Sequence, residues 1–235
     1  DYRWKDWLGF RAGKIKIPNG LYNETRDVDM LRTSVFLPQS IYPEIMRDTT
    51  HALLGRGLFG HLSLASLGSI NYELQYGEMD IETDSSMAEF IKDEAEMDVL
   101  NIDAGHVFTG ALEWNTPLEG LRIKGGIITL DLAMTLKTTE QTPWISEDLL
   151  VGLEFPFKMD NMRIITLSAE YARGNLVLAT EYEKSQSENV FATEERESES
   201  DEGYYVSAAY RFTNWFELGM YYSVYYADVD DRDGK

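Results

Sequence analysis

The sequence predicts an all-β protein, an antiparallel transmembrane β-barrel with a long loop that carries a short helix. Three observations carry this prediction. Long segments alternate apolar and polar residues with period two. No run of 18 apolar residues exists, since the best candidate, Ile127 to Leu136, is short and contains Asp131. Aromatic residues collect near segment ends, at Trp7, Trp114, Trp144, Tyr204, Tyr205, Trp215, Tyr221, Tyr222, Tyr225 and Tyr226, as interfacial girdles would require.

The strands are read in chain order. Alternation places them at Leu67 to Tyr76, His106 to Trp114, Ile128 to Leu136, Leu149 to Phe155, Arg163 to Ala172, Asn175 to Glu183, Tyr204 to Phe212 and Trp215 to Tyr226. One face of the last reads Phe216, Leu218, Met220, Tyr222, Val224, Tyr226; the other reads Glu217, Gly219, Tyr221, Ser223, Tyr225. Apolar sets at Tyr204, Val206, Ala208, Tyr210 and Phe212, at Ile128, Leu130, Leu132, Met134 and Leu136, and at Leu149, Val151, Leu153 and Phe155 are expected to face outward. Their polar partners, among them Glu154, Glu170, Glu181, Arg211 and Glu217, are expected to line a wet interior. Segments of about 9–11 residues are long enough to cross a bilayer when tilted.

Hairpin registers follow from keeping the faces consistent. A three-residue loop Thr213-Asn214-Trp215 pairs Phe212 with Phe216, Tyr210 with Leu218 and Arg211 with Glu217. A two-residue Arg173-Gly174 turn pairs Tyr171 with Leu176. The acidic stretches Glu78 to Asp103 and Lys184 to Glu202 read as loops. Counting strands from the first of these puts Thr213–Trp215 among the long loops, against the usual asymmetry. One strand is therefore miscounted, and residues 137–162, blurred by Pro143 and Pro156, are where the error lies.

Composition narrows the chemistry. The formal charge of −20 and a pI near 4.4 exclude a nucleic-acid binder, which needs a basic face. Cysteine is absent, which removes disulfide scaffolds, thiolate zinc sites and thiol nucleophiles. His51 beside Thr49 and Thr50, or His61 near Ser63, could be written as a hydrolytic set, but neither lies in a nucleophile motif. No catalytic residue and no cofactor is assigned. The tail Asp228, Asp230, Asp231, Asp233, Gly234 is rich in oxygen donors, but Arg232 occupies a ligand slot and no downstream Glu follows, so no metal site is assigned either. Acidic loops of this kind can still hold divalent cations loosely.

The segment Ile15 to Arg56 breaks the alternation. Pro18, Gly20, Pro38 and Pro43 prevent a long strand or helix, and Asp27 to Phe36 reads as a short helix capped by Asp27. Its charges are mixed, and a long ordered loop is commonly functional. The candidate site residues are Arg11, Lys14, Lys16, Arg26, Arg32 and Arg47 opposite Glu24, Asp27, Asp29 and Asp48. The chain begins at Asp1 and stops at Lys235 after an acidic run. The expectation is one β-barrel domain over residues 1–235, incomplete at both ends.

The runs GKIKIPNGLYNETRD (Gly13 to Asp27) and LPQSIY (Leu37 to Tyr42) resemble the loop region of Gram-negative outer-membrane porins of the phosphate-selective-porin-like group. WNTPLEGLR (Trp114 to Arg122) and YRFTNWFELGMYYSVYYADVDDRDGK (Tyr210 to Lys235) resemble later strands of the same proteins. The resemblance implies that residues 17–47 fold into the lumen and narrow it. It also implies an outer-membrane location, contact with lipid and lipopolysaccharide, a homotrimer, and passive diffusion of small hydrophilic solutes. Phosphate selectivity is not implied, because no basic ladder matches residue by residue. Bases slightly outnumber acids over residues 11–56, so a constriction mildly favouring anions is expected beneath an acidic mouth. The rival readings are a soluble β-rich binding or structural protein and a barrel enzyme.

Overall fold

The computed structural model describes residues 1–26, 28, 34, 36–47, 51–142, 151–191 and 196–232. It contains eleven strands in one antiparallel sheet: β1 (Tyr2–Lys5), β2 (Leu8–Lys16), β3 (Ala52–Ser63), β4 (Ser69–Glu78), β5 (Met97–Ala104), β6 (His106–Asn115), β7 (Leu121–Thr138), β8 (Glu154–Arg173), β9 (Leu176–Val190), β10 (Arg196–Thr213) and β11 (Phe216–Tyr226). An α-helix, α1 (Ser86–Ala95), precedes β5, and the Ser85 side chain caps it by accepting from the Ala88 N–H. The order is β1-β2-β3-β4-β6-β7-β8-β9-β10-β11, with β5 prolonging the path of β6 along β7. Among the described residues β1 and β11 each keep one unpaired edge, so the sheet is not closed.

Alternation of direction sorts the connections by end. The turns Asp6–Trp7, 64–68, 116–120, Gly174–Asn175 and Asn214–Trp215 lie at one end. The strand ends joined by the connections from β2 to β3, β4 to β5, β7 to β8 and β9 to β10 lie at the other. The strand count is resolved where the sequence placed the error. Glu154 and Phe155 of the first expected segment and all of Arg163–Ala172 belong to one strand, β8, which is interrupted by a register shift between Asp160 and Arg163, where Asn161 has φ 53°; Val151–Leu153 precede the strand.

Other expectations are corrected by the hydrogen-bond ladders. The two acidic stretches are not plain loops: the first contains α1 and β5, and the second continues β9 to Val190 and begins β10 at Arg196. The tight turn is Gly174–Asn175 rather than Arg173–Gly174, so Tyr171 pairs with Leu178. Gly174, with φ 61°, takes the first central position, which in a type II′ turn favours glycine. At the last hairpin Arg211 pairs with Glu217 and Tyr210 with Leu218 as expected, but a bulge at Phe212 pairs Thr213 with Phe216. The bulge preserves the faces that a bare two-residue turn would scramble. Of the helix expected over Asp27 to Phe36, only Val28, Ser34 and Phe36 are described; Leu149 also falls outside the described residues.

The sheet has two zones along its strands. We call inner the face that carries the segment after β2. In the half nearer the short turns the outer side chains are apolar: Leu112, Leu167, Val206, Leu218, Met220 and Tyr222 are each more than half exposed. Their inner neighbours in the same strands are polar, for example Glu113, Lys124, Ser168, Glu170 and Glu181. In the half nearer the long connections this reverses. Ile128, Leu130, Leu132, Met134 and Leu136 point inward, against Ala104 and Met97 of β5 and Phe155, Phe157 and Met159 of β8, with Met87 and Ile91 of α1 packed on the cluster. The outward expectation for this β7 face is therefore wrong. The outer positions there are Asp131, Thr135 and Lys137, which makes inward burial of the alternate set the favourable arrangement. Glu154 likewise points outward and away from the interior, because Phe155 takes the inner position.

Candidate functional site

The site is the inner face of the turn-side half together with the segment inserted against it. Cross-strand register builds the wall. His61, Asn71, Glu113, Lys124 and Ser168 form one row across β3, β4, β6, β7 and β8. Polar groups in this row and its neighbours hold one another. His61 Nδ1 lies 2.7 Å from Asn71 Oδ1, and Asn71 Nδ2 donates to Glu113 at 3.1 Å. Arg122 donates to Glu113 at 3.2 Å and to Glu170 at 2.9 Å. Arg11 donates from Nη1 to Glu73 at 2.9 Å, and its guanidinium lies 4.5 Å from the centre of the Phe59 ring. Acids and bases thus interleave along the face rather than segregating by sign.

The segment after β2 docks on β8 to β11 through carboxylates. Glu181 is 1% exposed and accepts four hydrogen bonds: from Ser168 Oγ (2.6 Å), Tyr42 Oη (2.6 Å), Tyr205 Oη (2.7 Å) and the Leu21 N–H (2.8 Å). Four donors, two of them from the segment, work against the desolvation of this buried carboxylate. Glu183 accepts from Asn19 Nδ2 at 3.0 Å and Thr166 Oγ1 at 3.0 Å. Ser40 Oγ donates to the Tyr204 carbonyl, and its main chain passes so close to Gly203 that a Cβ there would collide with the Ser40 carbonyl. Gly20, at φ 57°, passes Glu181 and Tyr42 just as closely. Leu21, Leu37, Ile41 and Tyr42 bury their apolar surface against Ala179 and Tyr205. Burial, then the nearby Glu181 carboxylate, raises the pKa of the Tyr42 phenol, and burial beside Glu170 raises that of Tyr22. Both hydroxyls remain donors at neutral pH.

The residues expected to line the site distribute differently. Arg11 and Glu24 face a cavity of about 460 Å³ between β2–β7 and the segment. Lys16 Nζ donates to the Glu24 carbonyl at 2.9 Å. Arg26 is buried inside the segment, where Nη2 donates to the carbonyls of Tyr42 and Pro43 and pairs with Glu44 at 3.3 Å. It staples the two arms of the segment to one another. Arg47 pairs with Glu44 at 3.5 Å. Lys14 is level with Leu54 on the outer face, opposite to Ile15 and Leu53. Asp27, Asp29, Arg32 and Asp48 lie outside the described residues.

Glu73, Glu113, Arg122, Lys124 and Glu183 were not singled out by the sequence. Each sits on the polar parity of an alternating strand, and that parity was the available signal. Among the described residues no group of three or more His, Asp or Glu could hold a metal ion. Asp228 instead accepts from the Asp230 N–H at 2.8 Å. In comparisons with known proteins, the chain matches no family model, no curated protein and no solved structure.

Proposed function

We propose that this chain forms the wall and constriction of an outer-membrane porin, a water-filled channel through which small hydrophilic solutes diffuse passively. One observation carries the reading: on the turn-side half the apolar side chains stand exposed on the outside while charged ones are enclosed on the inside. A soluble sheet protein buries the first set and exposes the second. Hydrocarbon outside and water inside reverse that preference. On β10 the apolar band from Tyr204 to Phe212 spans about 26 Å along the strand at ~3.3 Å per residue, which at a strand tilt of about 40° is about 20 Å of height, most of the ~25 Å band of such barrels. Aromatic residues border it on both sides: Tyr76, Tyr182 and Tyr204 toward the long connections, Trp114, Tyr171 and Trp215 toward the turns.

In this reading the edges of β1 and β11 are paired in the membrane, because each unpaired backbone group in lipid costs several kcal/mol. Residues 17–47 are the constriction. Interleaved acids and bases set up a transverse field in which dipolar solutes orient, with no large preference for either sign of ion. Lipid and lipopolysaccharide contact the outer face, and the trimer suggested by the resemblance belongs to the same proposal.

The test is reconstitution of the full-length protein into planar bilayers. Stepwise conductance, and its rise when residues 17–47 are deleted, is the expected result. A protein that stays folded and monomeric without detergent and passes no current overturns the proposal.

A further inference from the structure

The cavity of about 460 Å³ beside the inserted segment holds an imbalance that the wall's own contacts do not resolve. Lys124 is 7% exposed, yet its one described ion pair is with the Glu24 carboxylate at 3.7 Å, beyond hydrogen-bond reach, and Glu73 acts on it only through space. Its direct cross-strand neighbour, Glu113, is already engaged by Arg122 and Asn71. An ammonium has three donors, and with no described hydrogen bond those of Lys124 are left to whatever fills the cavity it lines. Arg11 uses Nη1 on Glu73, and no described hydrogen bond runs from its Nη2. On the acidic side, both described hydrogen bonds to Glu73, from Arg11 and Gln75, fall on Oε2. Its Oε1 is left to the cavity.

Charge balance narrows what fits. Three cations (Arg3, Arg11 and Lys124) and four carboxylates (Asp1, Glu24, Glu73 and Glu113) line the space. A simple anion meets four like charges and a simple cation meets three. A net-neutral solute with separated charges satisfies both ends, and the volume lies within the range of small-molecule pockets. We propose that this cavity is a binding subsite for small zwitterions of the amino-acid and short-peptide class. The solute carboxylate accepts from Lys124 Nζ and Arg11 Nη2, and its ammonium donates to Glu73. The inference rests on the channel reading only for its place on the solute path; binding itself does not require conduction.

The experiment titrates full-length protein with glycylglycine, and with acetate, methylamine and glucose as controls. It records current in planar bilayers and heat of binding in detergent. The expected result is a saturable reduction of current and a saturable heat with glycylglycine at about 1–10 mM. The controls are expected to be at least tenfold weaker, and Lys124→Gln is expected to weaken glycylglycine by about tenfold, the loss of one charge-assisted hydrogen bond. Wild-type titrations need no variant, so a misfolded variant does not blur the outcome. A conducting protein that treats the four probes alike overturns the subsite and leaves the channel standing. Glycylglycine heat without conductance overturns the channel and leaves the subsite. Neither signal overturns both.

Discussion

From β5 to β8 the two halves of the sheet use the same alternation with opposite polarity, whereas on β9 and β10 only the outer face changes character. On β8 the inner residues run Phe155, Phe157, Met159 near the long connections and Thr166, Ser168, Glu170 near the turns. The outer residues run Lys158 and Arg163, then Ile165 and Leu167. Neighbouring strands switch at corresponding points: Lys184 to Tyr182 on β9 and Glu202 to Tyr204 on β10. Period two therefore identifies a strand with two unlike faces, but not which face turns inward. The surroundings settle that, water around one half and, in the proposed function, lipid around the other.

Exchanging the chemistry of the four quadrants breaks or sharpens this contrast. Leu132→Glu places a carboxylate among Ala104, Met134 and the other residues of the loop-side cluster, with no partner. Its expected cost is about 4 kcal/mol or more, read as loss of folded protein in urea titrations from detergent. A folded variant of near wild-type stability would mean that the cluster is not a core.

The reverse exchange, Glu181→Leu, strands two tyrosine hydroxyls, a serine hydroxyl and the Leu21 N–H. About 2–3 kcal/mol is expected, localised in the docking of the segment. Limited proteolysis should then cut within residues 17–47 while β10 and β11 stay protected. Unchanged protection of the segment counts against carboxylate docking.

Leu167→Arg puts a charge in the middle of the outer apolar band. Folding into lipid vesicles should lose about 2 kcal/mol or somewhat more, whereas the same protein in water-exposed surroundings would tolerate an arginine at a half-exposed site. Equal vesicle stability of variant and parent removes the lipid-facing reading. The mildest exchange is Lys158→Leu on the outer loop-side half, an exposed position. A change within about 0.5 kcal/mol is expected by the same vesicle assay; a stabilisation comparable to the Leu167→Arg loss would mean that the band extends further than the polarity switch implies.

Legibility varied with distance along the chain. The faces of β10 and β11, and the Arg211–Glu217 pair, were readable because an uninterrupted alternation and a local turn define them. β5 was hidden: its inner residues Met97, Val99, Ile102 and Ala104 skip a register at Leu100, and the acids Asp98 and Asp103 on its outer side look like loop composition. β8 was split in two by Pro156 and the bulge at Asp160. Pro156 stands opposite Thr135 of β7, two residues from the start of β8, where a proline is tolerated.

The amino-acid sequence by itself determined that long two-faced strands form, that the last hairpin turns near Thr213–Trp215, and that the prolines and glycine within residues 17–47 allow no long strand or helix there. Those are consequences of side-chain alternation and of proline and glycine, all local in the chain. Tertiary structure alone decided that Leu132 turns inward while Leu167 turns outward. It alone brought Leu21 to Glu181, 160 residues away, and left the Lys124 ammonium short of partners beside a cavity. Burial and hydrogen-bond satisfaction depend on what surrounds a residue in space, and a linear pattern does not carry that information.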